Sequence, residues 1–375
     1  MEQSAGKSEN KGILFLKDNV IFLPFLALLL LFMMVWPQKI TDYPRFVDWQ
    51  TVGNLTGLLI VVTGIKESGF IGRFSKGFLI KTGTERGLAF ALVALSGLLS
   101  MVLTNDIALF ITVPLTLGFR DVIENDVKKL IIFQALAVNT GSALTPVGNP
   151  QNLFLWNHWG IEFFAFIGKM FPLFVVMAVI LALFVWKAFP SKALTFHSQP
   201  RKKEVRTRLF MVSAIGLVAF IVAIEMEVAR YALLAILIFY LLLYRKVFIK
   251  TDWMLLLLFV VMFIDFHLLS QVSWVIKGMA HFKMAVPSGA FFSSLFSSQI
   301  MSNVPAAIFI SKFSHQWQAI AYGVNVGGNG LVIASLANII ALRFVKQRSV
   351  WADFHKYSLF YLAVTATVVF LLFFF

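Results

Sequence analysis

Two clusters of small polar residues interrupt apolar sequence and carry the chemistry of this chain. Thr104, Asn105 and Asp106 break one apolar stretch; Ser302 and Asn303, followed by Val304 and Pro305, break another. Ser, Thr, Asn and Asp are preferred helix N-caps and Pro suits a first turn, so a helix is expected from Ile107 after the first cluster and from near Pro305 after the second. In water, capping alone would account for both clusters. At membrane depth the same helix ends leave N–H groups whose neglect costs several kcal/mol, so a polar ligand is a natural partner. The positive end of the helix dipole suits an anion, and side-chain oxygens beside it suit Na⁺. The two clusters are unequal, because Asp106 is a carboxylate and its counterpart is Val304. An intramembrane acid is a candidate Na⁺ ligand or proton carrier. Asn105 and Asp106 are therefore expected at a Na⁺ or H⁺ site, with Asn303 as the matching residue of the other cluster. Asp265 is a second candidate coupling acid, with a buried structural hydrogen bond or a pair with nearby His267 as the alternative.

A second feature is a 14-residue pattern present twice, 186 positions apart, from Asn139 to Asn152 and from Asn325 to Asn338. Each copy begins and ends with Asn and has Gly third, Gly141 and Gly327. Gly141, Pro146, Gly148 and Pro150 cannot together continue a helix. The freed carbonyls, with Asn139, Thr140, Ser142, Thr145, Asn149 and Asn152, offer hard oxygens and amide donors. The second copy offers Asn325, Asn329, Ser335 and Asn338, with Gly327, Gly328 and Gly330 for close backbone approach. Irregular backbone is tolerated at membrane depth only where protein buries it or a watery cavity meets it. Two such breaks in corresponding halves point to the binding site of a secondary transporter. The expected substrate site thus joins these residues to Thr104, Asn105, Ser302, Asn303 and Pro305.

These residues must be held by transmembrane helices. The 375 residues are 59% hydrophobic and only 13% charged, with mean hydropathy +0.84, which excludes a soluble protein and implies an all-α polytopic membrane protein. Full spans are expected over 20–36, 52–65, 163–186, 209–224, 231–244, 253–269 and 357–375, with broken helices over 130–156 and 318–342. That makes nine crossings. The stretches 88–118 and 286–313, split near their middles, read as re-entrant hairpins, each arm too short to cross. With the N-terminus inside, 25 of the 32 Lys and Arg fall in inside segments and 7 outside, a positive-inside distribution that places the C-terminus outside. The formal charge of +14 therefore reflects loops rather than a nucleic-acid surface. The absence of Cys removes disulfides and thiolate chemistry.

The halves match in order: span, hairpin, broken helix, span. Asp48 and Trp49 before one span pair with Asp252 and Trp253 before another, and Asn105 pairs with Asn303. The two copies cross the bilayer in opposite senses, as inverted repeats do. Residues 1–19 are then a cytoplasmic tail, 20–188 the first repeat, 189–230 a cytoplasmic linker plus connector span, and 231–375 the second repeat.

Thr104-Asn-Asp with Pro114, the run from Thr145 through Gly148, Asn149 and Pro150 to Asn152, and Ser302-Asn-Val-Pro-Ala together resemble the ion transporter superfamily. Its members include arsenite effluxers, D-type sodium/proton antiporters, citrate–metal carriers and divalent anion/sodium symporters. The resemblance covers nearly the whole chain and lies nearest a short bacterial inner-membrane branch labelled as anion transporters. It implies that Asn105 and Asn303 sit at hairpin tips, contacting substrate and coupling ion. Dicarboxylate carriers of that superfamily have Ser-Asn-Thr at both tips, where this chain has Thr-Asn-Asp and Ser-Asn-Val. The expected function is alternating-access transport of a small inorganic or organic anion, coupled to Na⁺ or H⁺, with no other cofactor and no enzymatic activity. Efflux of arsenite or antimonite and sodium/proton antiport are the alternatives. The bilayer is the expected surrounding partner, and the resemblance leaves room for a homodimer.

Overall fold

The computed structural model describes residues 22–70, 82–117, 127–194, 205–345, 347 and 349–375. The expected tail 1–19, the first residues of the span 20–36, the end of the hairpin at Gly118 and the basic run Arg201–Lys203 lie outside the described residues.

Among the described residues the architecture is helical, with one isolated bridge between Thr84 and Ala193. In the first half, α1 is Phe22–Val35, α2 Trp49–Ser68, α3 Glu85–Val102, α4 Asn105–Leu117, α5 Val127–Ser142, α6 Pro150–Trp159 and α7 Phe163–Ala188. Helices α8, Thr207–Glu225, and α9, Ala229–Leu243, follow. The second half contains α10 Trp253–Leu269, α11 Ser273–Ala280, α12 Pro287–Met301, α13 Asn303–Ile310, α14 Trp317–Gly327, α15 Leu336–Arg343 and α16 Val350–Phe373. The starts follow from capping chemistry. The Asp48 carboxylate accepts from Thr51 N at the head of α2, and the Asp252 carboxylate accepts from Leu255 N at the head of α10, both at 3.0 Å. Each following Trp donates its indole N–H to a carbonyl five residues back, Trp49 to Pro44 and Trp253 to Phe248.

The arms α3 and α4 pack on each other and on α5; α12 and α13 pack on each other and on α14. Helix α15 lies against α4 and α5, so the second broken helix reaches across to the first hairpin. Helix α2 is bedded on α8 and α9, α10 on α1 and α13, and α7 on α16.

Among the described residues four helices, α3, α7, α8 and α16, are long and apolar enough to cross a membrane alone, and up to six spans result if each sharply bent pair counts as one. This is fewer than the nine expected. Helix α2 has 20 residues, enough to cross, yet buries Thr51, Asn54 and Thr63. Protein rather than lipid surrounds most of it, so apolarity is not demanded of its surface. The broken helices are divided into pieces of 16 residues or fewer. Two boundaries also differ from the sequence expectation. Helix α3 begins at Glu85 and has 18 residues, so this hairpin arm is not too short to cross. Helix α16 begins at Val350 rather than Tyr357, because the charged turn before the apolar run finds partners. Lys128 lies 3.8 Å from Asp353, and His355 accepts from Val332 N at 3.3 Å.

Candidate functional site

The two hairpin tips share one local design. Helix α4 begins at Asn105 and α13 at Asn303, slightly earlier than the sequence suggests. In each, the Asn side chain folds back so that its Oδ1 accepts the next backbone N–H, Asp106 N or Val304 N, both at 3.0 Å. The cap therefore consumes the Asn oxygen. Among the described residues the Nδ2 of each finds no acceptor. The tips are then docked onto the helix breaks. Asn105 N donates to Gly148 O at 2.9 Å, and Ser302 Oγ reaches Ala334 O at 3.5 Å. Ser302 sits at φ +76°, ψ 158°, a region that Gly favours and that costs a side chain about 1–3 kcal/mol.

Both tips border a single cavity of about 30 Å³, where Asn105 and Asp106 meet Ser302, Asn303 and Pro305, with Gln151 and Ser335 from the breaks. Asp106 Oδ1 and Gln151 Oε1 are buried without a hydrogen-bond partner among the described residues. Such orphaned acceptors are costly unless a donor or cation meets them. Sequence reasoning did not single out Gln151, although it lies inside the first 14-residue pattern. Its position beside Pro150 at the head of α6 was the available signal. The cavity is small, so the tips face one another across little free space.

The repeated Asn residues form a reciprocal brace across the molecule. Asn139, first in one pattern, donates to Asn338, last in the other, at 2.9 Å; Asn325 donates to Asn152 at 2.7 Å. Asn149 Nδ2 donates to Asn325 Oδ1, and Ser335 Oγ donates to Asn139 Oδ1, each at 3.0 Å. Asn152 Nδ2 bonds Ser142 O and Thr145 O, and Asn338 Nδ2 bonds Gly328 O and Leu331 O. Every bond in this set has a twin under the 186-residue shift. The consequence for ligand binding is direct: Asn139, Asn149, Asn152, Asn325 and Asn338 spend their amides on one another and on broken-helix carbonyls.

Other expected ligands hold the breaks in place. Thr145 Oγ1 donates to Met101 O at 2.5 Å, and Gly327 O accepts from Gln299. Thr140 Oγ1 bonds Leu136 O and lies 3.0 Å from the Tyr361 hydroxyl on α16, away from the tip cavity. Ser142 supplies acceptors to Asn149 through both its carbonyl and its hydroxyl. Pro146 is buried within the break. Asn329 Nδ2 donates to Asn325 O, while its Oδ1 is buried without a partner. At Gly141 a Cβ would stand 2.1 Å from Gly97 O, and at Gly148 it would stand 2.5 Å from Ser142 O. These two glycines permit the close approach of break and hairpin.

Asp106 also borders a second, larger cavity of about 470 Å³. This vestibule shares Asp106, Leu255, Leu258 and Leu336 with the tip cavity and so adjoins it. Thr63, Thr104, Asp252 and three cationic residues, Lys66, Lys250 and Arg343, complete its polar lining. Lys250 pairs with Glu67, and Lys66 Nζ lies 4.1 Å from the centroid of the Phe110 ring on α4. Sequence reasoning counted the three cations as loop charges. Lys66 and Arg343 close the last turns of α2 and α15, where the helix dipole favours a cation.

Asp265 lies elsewhere. It is buried on α10, lines neither cavity, and both of its carboxylate oxygens lack a partner among the described residues. The pair with His267 does not form, since that imidazole stacks on Phe46 at 3.9 Å between ring centroids.

A family model described as citrate transporter, CitMHS, matches residues 13–316. The inner membrane protein YbiR of Escherichia coli is 40% identical over 319 residues, 85% of this chain and 86% of that protein. An uncharacterized transporter of Methanocaldococcus jannaschii is 34% identical over 337 residues, 87% and 89% of the two chains.

Proposed function

We propose, because this chain belongs to the CitMHS citrate transporter family and is an inner-membrane transporter rather than an enzyme, that it moves a small anion by alternating access. The anion is an inorganic oxyanion or a di- or tricarboxylate, and its movement is coupled to Na⁺ or H⁺. One observation carries this reading: two hairpin tips of the same design, one from each half, meet in one cavity beside two broken helices. The reciprocal brace supports reading the halves as inverted repeats, since hydrogen bonds related by a constant shift imply a local two-fold. Each hairpin with its broken helix is the moving unit, and the remaining helices are the scaffold. The N-terminus inside and C-terminus outside follow from the positive-inside count.

Roles divide by what each group has left to offer. The free Nδ2 donors of Asn105 and Asn303 serve the anion. Asp106 Oδ1 and Gln151 Oε1, acceptors without a donor, serve the coupling cation. Sodium/proton antiport keeps the same cation site and is favoured by the orphaned Asp106; it gives no role to the cationic vestibule. Counterflow in proteoliposomes with citrate, dicarboxylates, sulfate and arsenite, each with and without Na⁺, tests the proposal. Saturable exchange of a carboxylate or sulfate is expected; exchange of Na⁺ for H⁺ with no anion flux would replace it with antiport. Because the chain has no Cys, single cysteines at Lys250 and Lys277 report topology directly, and labelling of both from one face would defeat the inverted-repeat reading.

A further inference from the structure

The vestibule presents a problem of charge. Lys66 sits half-buried at the end of α2, and no carboxylate of the described residues stands within 4.0 Å of its ammonium. Its recorded contact is the face of Phe110. The other charges facing the cavity are partly engaged: Lys250 holds Glu67, and Asp252 accepts Leu255 N as the α10 cap. Arg343 enters from α15, and Asp106 marks the floor. A half-desolvated ammonium is unfavourable unless an anion meets it. Space points the same way. At about 470 Å³ the vestibule is within the range of small-molecule pockets, whereas the tip cavity measures about 30 Å³.

We propose that the vestibule is an anion-holding subsite in which Lys66, flanked by Lys250 and Arg343, receives a soluble anion carrying two or more negative charges before it reaches the hairpin tips. This rests on the transport reading above for the fate of the anion, though not for its binding. The arrangement suits a ligand with more than one anionic group, because cations on α2, on α15 and in the segment before α10 border one space, which Asp106 and Asp252 also line. It also couples to movement. Lys66 belongs to the scaffold helix α2, and the ring beside it belongs to the hairpin arm α4, so displacement of the hairpin changes the surroundings of the bound anion. An anionic lipid headgroup offers the same phosphate chemistry to the same ammonium, and the test must separate the two sources.

The full chain, purified in neutral detergent, is titrated with citrate, sulfate and chloride at constant ionic strength, with thermal unfolding as the readout. Citrate and sulfate should stabilise the wild type more than chloride does. Lys66→Gln should weaken the apparent affinity for citrate by about tenfold or more, the scale of one lost charge-assisted contact. Lys66→Arg should restore most of it, and Lys277→Gln should match the wild type, which guards against general loss of fold or charge. Citrate affinity unchanged in Lys66→Gln, or a wild type that no multivalent anion stabilises beyond chloride, overturns the proposal. So does Lys66-dependent stabilisation by added phosphatidylglycerol with none by citrate. Lys66-dependent citrate binding without citrate counterflow in proteoliposomes leaves the subsite standing and sinks the transport reading for citrate. Counterflow with normal binding in Lys66→Gln does the reverse.

Discussion

The two hairpin tips have the same backbone chemistry and opposite liabilities. Asn105 and Asn303 make the same self-cap at the same 3.0 Å. At the first tip the next residue is Asp106, with a buried oxygen that no group satisfies. At the second it is Val304, and the cost lies instead in the backbone of Ser302 at φ +76°. One tip carries an unsatisfied carboxyl oxygen and the other a strained conformation. The design common to both serves what both must do, which on the present proposal is to hold the anion. The carboxyl present at one tip alone would, on the same proposal, serve a task done once per cycle, binding the coupling cation.

The largest effect should come from the shared feature. Asn105→Ala and Asn303→Ala should each cut counterflow by up to about 100-fold, the equivalent of a hydrogen bond of roughly 3 kcal/mol to a charged ligand, in protein that still purifies as a folded species. Wild-type flux from either variant would remove that tip from the site. Next comes the difference. Asp106→Asn keeps size and cap but loses charge, so accumulation driven by a Na⁺ or H⁺ gradient should vanish while exchange persists. A variant that still concentrates substrate would reduce Asp106 to a cap. Asp265, which lines neither cavity, would then be the remaining acid to test.

The brace tests how equal the halves are. Asn139→Ala and Asn325→Ala remove corresponding members, so each should destabilise by about 2 kcal/mol, mainly through buried groups left unsatisfied. Unequal losses in detergent unfolding would show that one repeat carries the junction. The smallest effect concerns the strained tip. Ser302→Gly should stabilise by about 1 kcal/mol, because its own hydrogen bonds, at 3.4 and 3.5 Å, are long and the strain is relieved. Thr104→Gly, at the matching residue without a positive φ, should destabilise by about 0.5–1 kcal/mol. Equal responses would mean that the tips differ less than their backbones indicate.

The sequence by itself determined the helical class, the two hairpin breaks, the matched Asp-Trp pairs before α2 and α10, and the matched Asn-to-Asn segments. Each is a local matter: a cap, a proline, a glycine or an apolar run acts within a turn or two of its own position. It could not show that the starting Asn of each segment bonds the final Asn of the other, because that pairing joins residues 199 and 173 positions apart. Tertiary structure therefore decided which expected ligands are still able to bind anything. Asn105 and Asn303 keep a free amide, while Asn139, Asn152, Asn325 and Asn338 do not. Packing decided as well that Asp265 lines neither the tip cavity nor the vestibule, that α2 needs little apolarity because protein encloses it, and that Lys66, Lys250 and Arg343 converge on one space. Side-chain polarity is written in the sequence, but whether a polar atom is spent on a neighbour or left for a ligand depends on which helices meet, and only the folded chain brings them together.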